Sequence, residues 1–442
     1  MSDAAAVRCE RGEGGRRHSR RSVCRPVHGR SLRGLALTLV CLLGLSAPIA
    51  QAQLKIDITS GVTDPIPIAI EPLRDDPHDT AGVVSQDLGR SGRFVVGARN
   101  RADYLVSGRA KVGRDGRVTL EFELLNLLTG QRLLRERWIA PPAAWRNAAH
   151  RISDRVYERI LGTRSAFATR IAYVAVEGAA PNQRYRLILA DADGENSRVI
   201  LESRQPLMSP AWSPDGEWLA YVSFETRAAS IVLQRVRTAE RRTISARAGV
   251  NGAPAWSPDG RRLAVTLSSA NGNLDIHLLE IDSGRLTRLT DHPAIDTEPA
   301  WSPDGETLYF TSDRAGGPQV YRMAPRAAER AQRVTFGGPY NARPRVSPDG
   351  RRLAFVMRDD RGYRIAVQDL GTGTVLALSK GAEDESPAFS PDGGTLIFAT
   401  RERGRGALAT VSVDGLILQR LASSRGDVRE PAWGPFVRES TP

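Results

Sequence analysis

Five aspartates recur at near-constant spacing, Asp215, Asp259, Asp304, Asp349 and Asp392, each inside the tetrapeptide Ser-Pro-Asp-Gly. A carboxylate fixed within a repeat is the kind of group that ligates a hard cation or moves a proton. The spacing argues against both, because copies a whole repeat apart cannot converge on one ion. The tetrapeptide reads as a turn: Ser accepts from the backbone, Pro fixes φ, and Gly supplies the left-handed position that closes a hairpin. Other chemistry is equally thin. Beyond residue 52 the histidines are His78, His150, His277 and His292, too far apart in sequence to suggest a local cluster. There is no G-x-S-x-G, no H-E-x-x-H and no P-loop. Gly371-Thr372-Gly373 lacks the third glycine and the helix of a dinucleotide site, so it reads as a turn. Cys9, Cys24 and Cys41 all lie early, leaving no thiolate site downstream. No catalytic, cofactor-binding or metal-ligating residue is expected.

The elements around those aspartates explain them. The heptapeptide Pro-Ala-Trp-Ser-Pro-Asp-Gly starts at Pro210, Pro254 and Pro299, returns altered at Pro344 and Pro387, and ends truncated at Pro431. Successive prolines are 44, 45, 45, 43 and 44 residues apart, which marks a repeat architecture. Short β-forming runs flank each turn, such as Leu219–Ser223, Leu308–Ser312 and Leu396–Thr400, and two more strands follow in each unit. Four strands per unit is a propeller blade. Five intervals make five units. Three strands before the first motif (171–174, 185–190, 197–201) and one at 431–433 add a sixth blade built from both ends. Such a blade closes the ring and removes free sheet edges. Each Trp is expected between neighbouring blades.

Residues 53–162 lack the repeat and read as a small α/β domain. A strand is expected at 66–70, a helix at 80–88 capped by Asp79, and a meander over 104–112, 118–127 and 131–139. Trp145, Ala149, Ile152, Val156 and Ile160 make the apolar stripe of a helix that Gly162 ends, with a linker at 163–170 before a propeller over 171–437. The fold class expected is mainly β: a six-bladed propeller preceded by the α/β domain.

The amino terminus reads as an address. Basic residues from Arg16 to Arg33 precede the apolar run 35–45, and Ala50-Gln51-Ala52 is a cleavage site, so 1–52 reads as an export signal and the mature chain starts at Gln53. A retained anchor and lipidation at Cys41 are the weaker alternatives. The formal charge of +12 is concentrated there: residues 1–52 hold nine Arg and three acids, or +6, leaving +6 spread over the other 390 residues. That excludes a nucleic-acid groove.

The stretch Gln205-Pro206-Leu207-Met208-Ser209-Pro210-Ala211-Trp212-Ser213-Pro214-Asp215-Gly216 resembles the TolB family of the Tol–Pal envelope system. So do Asn251-Gly252-Ala253-Pro254, Thr297-Glu298-Pro299 and Pro318-Gln319-Val320-Tyr321, and the resemblance covers Lys55 to Pro435. It implies a monomeric periplasmic adaptor, not an enzyme, that binds the lipoprotein Pal at one propeller mouth and TolA through its first mature residues. It also implies support of outer-membrane integrity and invagination during division, and a part in bacteriocin import. The segments before each Pro-Ala-Trp are expected as loops on one rim: Leu207, Met208 and Ser209; Val250, Asn251, Gly252 and Ala253; Asp296, Thr297 and Glu298; Asn341, Ala342 and Arg343; Glu385 and Ser386; Arg429 and Glu430. These are the residues expected at Pal. The alternating segment Gln53-Leu54-Lys55-Ile56-Asp57-Ile58-Thr59-Ser60-Gly61-Val62 is the one expected at TolA, free or paired as an edge strand. A calcium ion in the central channel is the one cofactor left open. The rival readings are a propeller that binds a glycan or small ligand, and an accessory of a peptidase, since the heptapeptide also occurs in peptidase propellers.

Overall fold

The computed structural model describes residues 64–269, 271–326, 329–421 and 426–436. The export signal, the segment Gln53–Val62 and the propeller end at 437 lie outside the described residues. Those described fall in one compact unit, Thr63–Pro442.

The first part carries β1 (Ile66–Ile70), α1 (Thr80–Arg90), β2 (Phe94–Val96), β3 (Tyr104–Val112), β4 (Val118–Asn126), β5 (Arg132–Ala140) and α2 (Trp145–Leu161). The sheet order is β2-β1-β3-β4-β5, with β1 parallel to both neighbours and the meander antiparallel. Alternation along β4 buries Val118, Leu120, Phe122 and Leu124 in the core that holds Ile152 and Val156 of α2. Both helix ends follow sequence chemistry. The Asp79 carboxylate accepts from the Gly82 N–H at 3.0 Å, and Gly162 at φ 72° caps α2. β2 has three residues, too short to show a period, and was not expected from the sequence.

Six four-stranded sheets follow, and the blade made from both ends is present, with Asp427–Trp433 beside Arg170–Glu177, Arg184–Asp191 and Arg198–Ser203. We number it blade 1. Blades 2 to 6 begin with the inner strands Leu207–Trp212, Asn251–Trp256, Asp296–Trp301, Asn341–Val346 and Glu385–Phe389. The Ser-Pro-Asp-Gly segments are turns. In the first, Gly216 N–H donates to Ser213 O at 2.9 Å, Ser213 Oγ accepts from Trp218 N–H at 2.9 Å, and Asp215 accepts from Glu217 N–H. The indoles bridge blades. Trp212 donates to Ala432 O, Trp256 to Ala211 O and Trp301 to Ala255 O, at 3.1 to 3.2 Å. Val346 and Phe389 carry no N–H to repeat this in blades 5 and 6.

The segment 163–170 is packed, not a loose spacer. Ser165 through Thr169 are buried, and the Asp154 carboxylate of α2 accepts from Ser165 Oγ and from the Phe167 and Ala168 N–H groups.

Candidate functional site

The residue before the proline has positive φ in all six inner strands: Ser209 (52°), Ala253 (44°), Glu298 (56°), Arg343 (57°), Ser386 (56°) and Glu430 (50°). None is glycine. Each sits where the strand carries one residue more than its partner. In blade 2, Met208 faces Val222 and Ala211 faces Ala220, so Ser209 and Pro210 together oppose Tyr221. The other inner strands shift register at the same place. This is a β-bulge, which bends a strand and re-aims its side chains. Left-handed backbone costs a non-glycine residue roughly 1–2 kcal/mol, so the closed ring of blades holds the six strained positions in place.

The bulges correct one sequence expectation. Except for Val250, the residues expected in rim loops belong to the inner strands themselves. All six strained residues line one cavity of about 600 Å³, together with Met208, Val250, Asn251, Gly252 and Thr297. Leu207, Asp296, Asn341 and Ala342 do not reach it. They are buried and structural: Asp296 pairs with Arg314 at 2.8 Å, and the Asn341 amide donates to Gln319. Glu385 and Arg429 line a second hollow of about 540 Å³ beside Tyr340 and Tyr363.

The cavity has two unlike arcs. Over blades 2 and 3 it is mainly apolar, with Met208 39% and Val250 42% exposed and Phe224 beside them, and Arg227 adds a guanidinium there. Across from it lies an ionic hub. Arg343 Nε donates to Glu298 Oε1 at 3.0 Å, its backbone N–H donates to Glu298 Oε2 at 3.0 Å, and its Nη1 reaches Ser386 Oγ. Burial works against the Arg343 charge, but Glu298, Glu430 and Glu385 outweigh it and hold its pKa above the usual value. Glu430 accepts from Ser209 N–H, and burial pushes its pKa up. Arg345 also lines the cavity. Both cavity carboxylates are engaged by protein donors and two guanidinia stand beside them, so the donor set does not fit the calcium ion expected as an option. Arg345, Phe224 and the two tyrosines were missed in the sequence. Arg345 had a signal, as the charge that breaks Pro-Ala-Trp.

A second assembly gathers charged groups around one of the four histidines beyond residue 52, with partners too distant in sequence to be read locally. His150 of α2 is fully buried. Its Nδ1 lies 2.7 Å from Asp87 of α1, and its Nε2, with no hydrogen-bond partner, lies 3.8 and 3.7 Å from Asp191 and Asp193 of blade 1. Arg90 and Arg146 bind the same carboxylates. Burial opposes a charged imidazole, but Asp87 and Asp193 outweigh it and raise the His150 pKa. Three carboxylates face two guanidinia here, a charge balance that favours a proton on the His150 imidazole. The arrangement ties the α/β domain to the propeller. A hollow of about 260 Å³ adjoins it at Asp191, between Asn147 and Arg198.

Comparison with known proteins accords with the geometry. A family model described as the TolB beta propeller domain matches residues 157–437, and one described as the TolB amino-terminal domain matches 54–101. A Tol-Pal system protein TolB from Xanthomonas oryzae is 44% identical, covering 92% of this chain and 98% of its own. Its counterpart from Xylella fastidiosa is 42% identical over 91% of this chain and 98% of its own. The crystal structure of TolB from Acinetobacter baumannii, 39% identical, superposes with a TM-score of 0.79 over 85% of this chain and 98% of that one. Among the described residues no helix is long and apolar enough to cross a membrane. A bulged six-bladed ring, an amino-terminal α/β domain and near-full-length similarity lead to one assignment: the chain belongs to the TolB family, a non-enzymatic component of the Tol–Pal system of the cell envelope.

Proposed function

We propose that this chain is a periplasmic adaptor that binds Pal at the propeller mouth where the six bulges open, and TolA through Gln53–Val62. The observation that carries the reading is the ring of six strained pre-proline residues around a cavity of about 600 Å³. Strain held by a rigid scaffold clusters where a ligand is received. The ring offers an apolar arc for anchors and an ionic arc for orientation, the division of labour of a protein interface. The sequence supplies the compartment, since an export signal delivers the chain to the periplasm. In this role the protein supports outer-membrane integrity and invagination at division, and serves as an entry point for bacteriocins.

Calorimetric titration of the mature chain with the soluble domain of Pal tests the mouth. A one-to-one complex that weakens when Met208 and Val250 become Asp is expected. Binding unaffected by that double change means Pal docks elsewhere. Deleting Gln53–Val62 is expected to abolish TolA capture in a pull-down, and unchanged capture would sink that half of the proposal. A cavity of this size also suits a small ligand. Heat on addition of a glycan, with none on addition of Pal, would favour that second reading.

A further inference from the structure

The second position of Pro-Ala-Trp is alanine in five blades, Ala211, Ala255, Ala300, Ala388 and Ala432, and arginine in one, Arg345. At the next position blade 6 carries Phe389 in place of the tryptophan whose indole, in blades 2 to 4, donates to the preceding blade. Phe389 packs at the seam of blades 5 and 6, a smaller ring with no N–H, beside the strand that bears Arg345. One large cation therefore lines the cavity at a repeat position the other blades fill with alanines that do not reach it.

The hydrogen-bond inventory says what that cation lacks. Glu298 is engaged by Arg343 and by Thr311 Oγ1 at 2.9 Å, and Glu430 by Ser209. Arg345 donates only from Nη1, to Pro344 O at 2.8 Å. Among the described residues it forms no ion pair. A guanidinium has five N–H donors and stays charged in proteins. Enclosure lowers its pKa, with Glu298 acting in the opposite sense, but the side chain is only part-buried, so its unpaired N–H groups are left to the cavity it lines. The unused capacity in this channel is for donating, and the fitting ligand is an acceptor.

We propose that Arg345 makes the channel a receptor for a carboxylate, the Asp or Glu side chain of the protein that docks at this mouth. The proposal rests on the docking reading above. A guanidinium fork matches a planar carboxylate through two parallel N–H···O bonds, which fixes orientation as well as adding affinity. The apolar arc then takes an anchor residue while Arg345 receives the acid.

The test titrates the full mature chain with the soluble domain of Pal. Arg345→Met keeps the apolar stem and removes the fork, and Arg345→Ala restores the residue of the other five blades should the first variant fold poorly. Loss of a charged hydrogen-bond pair predicts binding about 10- to 100-fold weaker, with a shallower dependence on salt. Wild-type affinity in both variants overturns the carboxylate site and leaves the docking reading standing. If the wild type does not bind Pal, the docking reading falls and the site is judged alone, by titrating the 15N-labelled chain with the peptide acetyl-Gly-Glu-Gly-amide and with inorganic phosphate. A shift of the Arg345 Nε–H resonance with the peptide supports the proposal. No shift, or a shift with phosphate alone, overturns it.

Discussion

At the six inner-strand bulges, residues with side chains occupy a backbone conformation best suited to glycine, and each is tied to its blade differently. Glu298, Arg343, Ser386 and Glu430 hold one another or a neighbour through polar bonds. Ala253 at φ 44° has no side-chain bond to compensate its strain. Ala253→Gly is therefore expected to stabilise the fold by about 0.5–1 kcal/mol, the relief of left-handed strain less the added entropy of the unfolded chain. Urea unfolding measures it, and a lower midpoint would contradict it. The blade-bridging indoles make the opposite case. Trp301 is 8% exposed and donates to Ala255 O at 3.1 Å, a carbonyl also paired within its own blade, so Trp301→Phe removes the bond between blades and part of a buried ring. A loss of about 1–2 kcal/mol is expected. Phe389 holds the equivalent place in blade 6, so the variant should fold and its thermal midpoint can be compared directly.

At the scale of elements, α1, α2 and the turn after Asp191 meet around His150. The groups facing its imidazole are Asp87 and Arg90 from α1, Arg146 and Ser153 from α2, and Asp191 and Asp193 from blade 1. The raised His150 pKa means the folded chain holds a proton that the unfolded chain releases near pH 6.5. Its contribution is complete below 6.5 and is lost as pH rises through the folded value. Asp154, whose carboxylate pins the segment after α2, is pushed by burial to about 6, so its contribution too is present at low pH and lost as pH rises from 3.8 through about 6. Burial raises Asp191 in the same sense, while burial of Asp193 is outweighed by Arg90, His150 and Arg146, which lower it. The expected outcome is a urea midpoint that rises as pH falls from 8 to about 5.5. His150→Gln cannot take the proton and should flatten the part above 6.5, and an unchanged slope in that variant would locate the effect elsewhere.

For the whole molecule, the decisive strand is the last. Asp427–Trp433 completes blade 1 against Arg170–Glu177, and the Trp433 indole donates to Thr169 Oγ1 at 2.9 Å. Ending the chain after Arg420 leaves an open ring whose Arg170–Glu177 edge is bare, and a bare edge pairs with other chains. Light scattering during size exclusion should find aggregate or unfolded chain for that truncation. Ending after Phe436 keeps the strand and should leave a monomer with the parent's thermal midpoint. A folded monomer from the shorter chain would show that closure is dispensable.

The repeat determined the propeller by itself. Its period, turn chemistry and leftover strands give six blades and the shared closing blade, because each blade is a local unit whose signals lie within about 45 residues. The helix caps at Asp79 and Gly162 were legible for the same reason, since capping acts over three or four residues. The bulges were not. A segment such as Asp296-Thr297-Glu298 carries polar residues before a proline and reads as a loop. Only pairing against Leu308–Ser312 makes it strand with one residue too many. Nor was the His150 assembly, because Asp87 and Asp193 stand 63 residues before and 43 after it, and nothing local links them. Arg345 lies between these cases. Its departure from the repeat is visible in the sequence, but its lack of a carboxylate partner emerges only when six inner strands close around one channel and their hydrogen bonds are known.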